Sequence, residues 1–156
     1  MSDPQVCLTW VDITAGARVA LRRFTHDYTD GYDHDMAQRD PWRRFMDHLG
    51  GGCGEAAAAR IRGISWDQSV DRFHSLPDIG ADLEIRHSFI DHYGLINRPA
   101  DNSSLIYELW TGTPPVLTQR GWAPGWDVRK RGRWYDANGR PGMWILPQQL
   151  LAPGIP

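Results

Sequence analysis

Apolar positions in the first sixty residues recur at helical spacing. In "DITAGARVALRRFT", Asp12 to Thr25, the residues Ile13, Ala17, Ala20, Leu21 and Phe24 fall on one stripe, which predicts a helix with Asp12 or Thr14 as its cap. "DPWRRFMDHL" predicts a short amphipathic helix, with Asp40 capping, Pro41 at the first helical position and the following glycines as its end. "GGGCGEAAAARIRG" then joins glycines that permit close approach to an alanine run of high helix propensity, with Gly63 as a stop. It predicts a third helix from Gly54 to Arg62, opened by Glu55, whose alanine side can lie close against a sheet. Between the first two helices, His26 to Pro41 is polar and aperiodic, including Asp33-His34-Asp35, and reads as a loop or linker.

Past Gly63 the period changes from about 3.6 to about 2. Leu83–Ile85, Gly94–Asn97, Leu105–Trp110, Val116–Gly121 and Met143–Leu146 are short apolar or alternating runs separated by Gly, Pro, Asn and Asp, which predicts strands and turns. "NGRPG" at 138–142 reads as a turn and Pro153–Pro156 as a loose end. The expected class is α+β, with N-terminal helices followed by a mixed, mainly antiparallel β-sheet. The expected division is an N-terminal helical segment with a polar linker over 1–53 and an α+β domain over 54–156.

Composition narrows the options. With 156 residues, 41% hydrophobic and 23% charged content and a net charge of −2, the chain fits one ordinary globular core and has no bulk charge that calls for a partner. No apolar run approaches the ~18–20 residues of a membrane span, and no basic-then-apolar leader opens the chain, so an intracellular protein is expected. Cys7 and Cys53 imply neither a disulfide framework nor a cysteine zinc site. His87 and His92 would point to opposite faces of one strand, which with His74 upstream makes a poor zinc set. There is no G-x-S-x-G nucleophile motif, and "GGGCGE" lacks the lysine of a P-loop.

The chemistry-bearing stretch is "LPDIGADLEIRHS", Leu76 to Ser88. If Gly80, Ala81 and Asp82 form a hairpin loop, Asp78 lies opposite Glu84 on one face, and the strand period adds Arg86 to that face while Ile79, Leu83 and Ile85 take the other. Paired carboxylates need a cation between them, so oxygen ligands for Mg²⁺ or Mn²⁺ beside a positive group are a reasonable expectation, with Glu55 able to approach from its helix. A shorter loop of Gly80 and Ala81 alone would break the pairing.

Pro77-Asp78 followed by Glu84-Ile85-Arg86, with Glu55 on a preceding helix, resembles the acidic core of the PD-(D/E)XK nuclease superfamily. The motif order "GEAAAARIRGISWDQSVDRF", "PDIG", "EIR", "GLINRPADN", "LIYELWTG", "RGW" and "GRPGMWILPQQLL", over Gly54–Leu151, resembles small tailed-phage proteins. The resemblance implies a restriction-endonuclease-like core and a phage-type, Mg²⁺-dependent nuclease that hydrolyses DNA. Glu55, Asp78 and Glu84 would ligate the metal, and Arg86 would stabilise charge at the phosphoryl centre. Arginine stands at 86 where that core has lysine. The alternative is a non-catalytic nucleic-acid-binding or virion-associated accessory protein on the same fold, with a phage or host protein as a further partner. Either would act in the cytoplasm of a bacterial host or in the virion. "RGWAPGWDVRKRGRW" adds Arg129, Lys130, Arg131 and Arg133 with Trp126 and Trp134, the basic and stacking groups that hold nucleic acid.

Overall fold

A computed structural model describes residues 3–29, 40–70, 76–137 and 140–154. Along them run β1 (Gln5–Cys7), α1 (Trp10–Thr29), α2 (Pro41–Arg62), β2 (Leu83–Ser88), β3 (Leu95–Asn97), β4 (Ile106–Thr113), β5 (Val116–Pro124), α3 (Gly125–Arg131), β6 (Arg133–Ala137) and β7 (Arg140–Ile145), with a final 3-10 turn at Pro147–Gln149. The class is α+β, the two long helices preceding most of the strands. Two sheets form where one was expected: β1-β5-β4-β2, in which only β2 and β4 are parallel, and the antiparallel β3-β7-β6.

These elements stack in three layers. Cys53 and Ala56–Ala59 of α2 pack on Leu83, Ile85, Trp110 and Leu117, which buries one face of the larger sheet under the helices. The other face meets the smaller sheet and α3 through Leu95, Tyr107, Leu109, Ala123, Val128 and Ile145. Strand β4 therefore feeds both cores, Tyr107 and Leu109 on one side and Trp110 on the other.

The helix ends show how the sequence sets the layers. Asp40 caps α2 by accepting from the Trp42 N–H at 3.1 Å, Pro41 takes the first turn, and Gly63 ends the helix at φ +63°. At α1 the expected caps Asp12 and Thr14 give way to Thr9. The Thr9 N–H donates to Asp12 Oδ2 at 2.7 Å and the Asp12 N–H donates to Thr9 Oγ1 at 3.3 Å, a reciprocal box. The inward stripe of α1 is the buried Gly16, Val19 and Ala20 with the half-buried Arg23, so the expected stripe was out of phase at Leu21, which is exposed.

The glycines at 50–52 serve packing. They do not end a helix: α2 runs unbroken through Gly50, Gly51 and Gly52 and across Cys53–Gly54, so Glu55 lies inside it rather than at an N-terminus. Each helical glycine costs ~0.5–1 kcal/mol relative to alanine, and close packing offsets that cost here. A Cβ at Gly52 would stand 2.7 Å from Gly16 O on α1, one at Gly54 3.2 Å from Ile85 Cγ2, and one at Gly50 2.2 Å from His87 Nδ1. The glycines are the contact surface of α2 on both neighbours.

All five expected strands form. β1, α3 and β6 were not anticipated. The expected loop from His26 begins later, since α1 continues to Thr29; Asp33, His34, Asp35 and His74 lie outside the described residues, as do 138–139 of the expected turn. The expected loose end is tied at Gly154, whose N–H donates to Gln119 Oε1 at 3.0 Å and whose carbonyl accepts from Gln119 Nε2 at 2.9 Å.

Candidate functional site: a carboxylate–arginine cluster at the edge of β2

Ile79 and Leu83 exchange two backbone hydrogen bonds, at 3.1 and 3.3 Å, which closes Gly80, Ala81 and Asp82 into the turn required by the spacing. Gly80 takes φ +64°, which glycine adopts without strain. The register brings Asp78 beside Glu84. Beyond Ile79, however, no second strand continues the pairing; the Asp78 side chain takes over, Oδ2 accepting from the Ile85 N–H at 2.8 Å. Asp78 thus stands on the outer edge of β2, whose inner edge pairs with β4. Leu83 and Ile85 point into the helix-side core, Glu84 and Arg86 to the opposite face.

On the helix side, Arg23 of α1 grips Glu55, Nη1 to Oε1 at 2.5 Å and Nη2 to Oε2 at 3.2 Å, and the Trp66 indole N–H donates to Oε2 at 3.1 Å. The same guanidinium lies 3.9 Å from Asp78 Oδ1. On the other side, Arg86 bridges Glu84 Oε1 at 2.8 Å and Asp101 Oδ2 at 2.6 Å, with its guanidinium 5.2 Å from the Tyr107 ring centre. Asp101 also accepts from the Arg98 N–H at 2.8 Å. Asp78, at the edge, connects the two sides.

The structure brings Glu55, Asp78, Glu84 and Arg86 into one cluster and adds Arg23, Trp66 and Asp101, which sequence reasoning missed. One signal for Arg23 was available: it continues the stripe Gly16-Val19-Ala20, and a charge on a buried stripe needs a partner. Asp101 had no such signal, because its position depends on how the turn after β3 returns to β2.

Glu55, Asp78, Glu84 and Asp101 face the two guanidiniums of Arg23 and Arg86. Burial, then the charge of Asp78, pushes the Glu55 carboxyl up to about 8 against the pull of Arg23. Burial also pushes Asp78 up, with Arg23, the Ile85 N–H and Arg86 opposing and Asp101 adding to the rise. Arg86 is raised: burial opposes its charge, but Glu84, Asp101 and Asp78 outweigh it. Among the described residues no three His, Cys, Asp or Glu side chains form a ready ligand set. His87 faces α2, its Nε2–H donating to Gly112 O at 2.9 Å, while His92 is exposed on the following loop.

The basic stretch divides. Arg129 is spent internally, Nε donating to Asn97 Oδ1 and Nη2 to Asp101 O, each at 2.6 Å. Arg131 pairs with Asp127 one turn earlier on α3 and donates to Gln149 O at 3.1 Å. Lys130, Arg133, Trp126 and Trp134 are exposed. No family model, curated protein or solved structure matches the chain.

Proposed function

We propose that the protein is a metal-dependent nuclease of phage type whose reaction centre is the cluster on the edge of β2. The carrying observation is the link that Arg23 makes between Glu55 and Asp78 at that edge, beside the Glu84–Arg86 pair. The donors are all oxygen, as Mg²⁺ and Mn²⁺ require. Glu84 must leave Arg86 to ligate.

Bound there, Mg²⁺ or Mn²⁺ would supply a water nucleophile and neutralise phosphate charge. The chain's own contribution is positioning. Asp78 is fixed by the Ile85 amide, Glu55 by Arg23 and Trp66, and Arg86, once released from Glu84, presents a permanent positive charge to the phosphodiester. Arginine cannot shuttle the proton that lysine would, so Arg86 acts on charge alone. Trp126 and Lys130, one turn apart on the exposed side of α3, are the groups assigned to hold DNA. A restriction-endonuclease-like core in a bacterial host's cytoplasm or in the virion belongs to the same reading, supported by the motif order over Gly54–Leu151.

The test is incubation with supercoiled, linear and single-stranded DNA in Mg²⁺ or Mn²⁺, alongside Asp78→Ala and Glu84→Ala. Cutting by the wild type is expected to fall at least ~100-fold in each variant, the scale of losing a group that stabilises transition-state charge. Equal cutting by all three sinks the assignment.

One observation favours a second reading. Arg86 already bridges Glu84 and Asp101, and Arg23 already holds Glu55, so the acids have protein counter-ions. In a non-catalytic nucleic-acid-binding accessory protein the cluster would serve only to pin β2. That reading requires DNA retention without cutting in either metal.

A further inference from the structure

Strand β6 is the last strand of the smaller sheet. It pairs with β7 on one side and with no described strand on the other. Open edges are normally short, charged or covered, because their free N–H and C=O groups recruit another strand. β6 is five residues long with charges at Arg133 and Asp136, and between them stand two exposed aromatics. Trp134 is 59% and Tyr135 60% exposed, and Arg133 makes no ion pair among the described residues.

The two faces of β6 differ in a telling way. Trp134 is paired with Met143 and lies on the face that Leu95, Met143 and Ile145 turn towards the inter-sheet core. Its indole continues that apolar layer past the last strand and into solvent. Arg133 and Tyr135 lie on the opposite face beside Trp144, with the Tyr135 and Trp144 rings 6.5 Å apart and nearly perpendicular.

We propose that β6 is a self-association edge, on which a second copy of this chain adds its own β6 antiparallel and turns two three-stranded sheets into one of six strands. A two-fold axis perpendicular to the sheet keeps each side chain on its own face, so only residues of like parity can meet. Centring the pair on Trp134 sets Trp134 opposite Trp134 of the second copy, each covering the indole that the other leaves wet. It also sets Arg133 opposite Tyr135 of the second copy, twice, so that each guanidinium meets an aromatic ring across the new pairing. Centring on Tyr135 would instead set Trp134 against Asp136, which buries no indole. The strand is therefore complementary to itself in one register, and main-chain hydrogen bonds supply the rest, as in strand addition generally.

Sedimentation velocity of the full chain over a range of concentrations tests this, together with Trp134→Glu, the double variant Arg133→Ala/Tyr135→Ala, and Trp42→Ala as an exposed tryptophan away from β6. A concentration-dependent dimer is expected for the wild type and Trp42→Ala. Trp134→Glu should weaken it at least about 30-fold, the scale of losing a tryptophan from an interface centre. Far-UV circular dichroism confirms that each variant folds. A wild type that stays monomeric throughout overturns the proposal, as does a dimer indifferent to Trp134→Glu. So does a monomer that binds single-stranded DNA through Trp134, since the surface then belongs to nucleic acid.

Discussion

Arg23 carries more of the site than any residue named from the sequence. It pairs with Glu55 at 2.5 Å and lies 3.9 Å from Asp78 Oδ1, so Arg23→Ala would strand the buried Glu55 carboxyl. Removing one partner of a buried pair typically costs ~3–5 kcal/mol, and urea denaturation of Arg23→Ala should read a loss of that size. Glu55 provides a separate signature. Its carboxyl holds a proton to higher pH in the folded chain than in the unfolded one, so its contribution to stability is full below 4.5 and fades as pH rises through about 8. Wild-type stability should therefore fall between pH 5 and 8.5 more steeply than that of Glu55→Gln. Equal slopes would place Glu55 outside the charge-frustrated cluster. At this scale the sequence was legible where chemistry follows spacing: Asp78, Glu84 and Arg86 share a turn and a strand period. It was illegible where chemistry follows assembly. Arg129 and Arg131 look like free charges in the sequence and are consumed by the turn after β3 and by α3 itself.

At the scale of elements, α2 shows why strands were easier to place than helix ends. A run of three glycines has poor helix propensity, and propensity alone stops the helix; tertiary contact with α1 and β2 keeps it going. The two effects separate by position. Gly51 faces outward, with only the Arg23 side chain at 3.9 Å from an added Cβ, so Gly51→Ala should stabilise by up to ~1 kcal/mol. Gly52→Ala meets backbone at 2.7 Å and should destabilise by ~1–3 kcal/mol. Thermal unfolding of the two variants, opposite in sign, tests the close helix crossing directly. β6 escaped notice because "RWYDA" is exposed on both faces and lacks the apolar alternation of a half-buried strand.

The whole molecule holds its acidic cluster at the junction of its layers, with Glu55 from the helices, Asp78 and Glu84 from the edge of the middle sheet, and Asp101 from the turn that leads back from the smaller one. A divalent cation bound there, as the proposed function requires, would compete with protons. Mn²⁺ should therefore raise the melting temperature more at pH 8.5 than at pH 5.5, and Asp78→Asn should abolish most of the shift. A shift that does not depend on pH would place the ion elsewhere. The α+β order was readable because helical and strand periods occupy separate halves of the chain. The split into two sheets was not, since pairing partners depend on the parallel alignment of β2 with β4, which no local pattern encodes.

The hydrogen bond from Ile85 to Asp78 has a consequence for assembly. By satisfying an outward amide with a charged side chain, Asp78 blocks the outer rim of the middle sheet, and β1 at the far rim has only three residues, Gln5–Cys7, to offer. A β6 rim taken up by a second copy cannot add a third. Asp78→Ala would unblock a second rim, and molecules with two can concatenate, so light scattering of that variant should show polymers where the parent shows none.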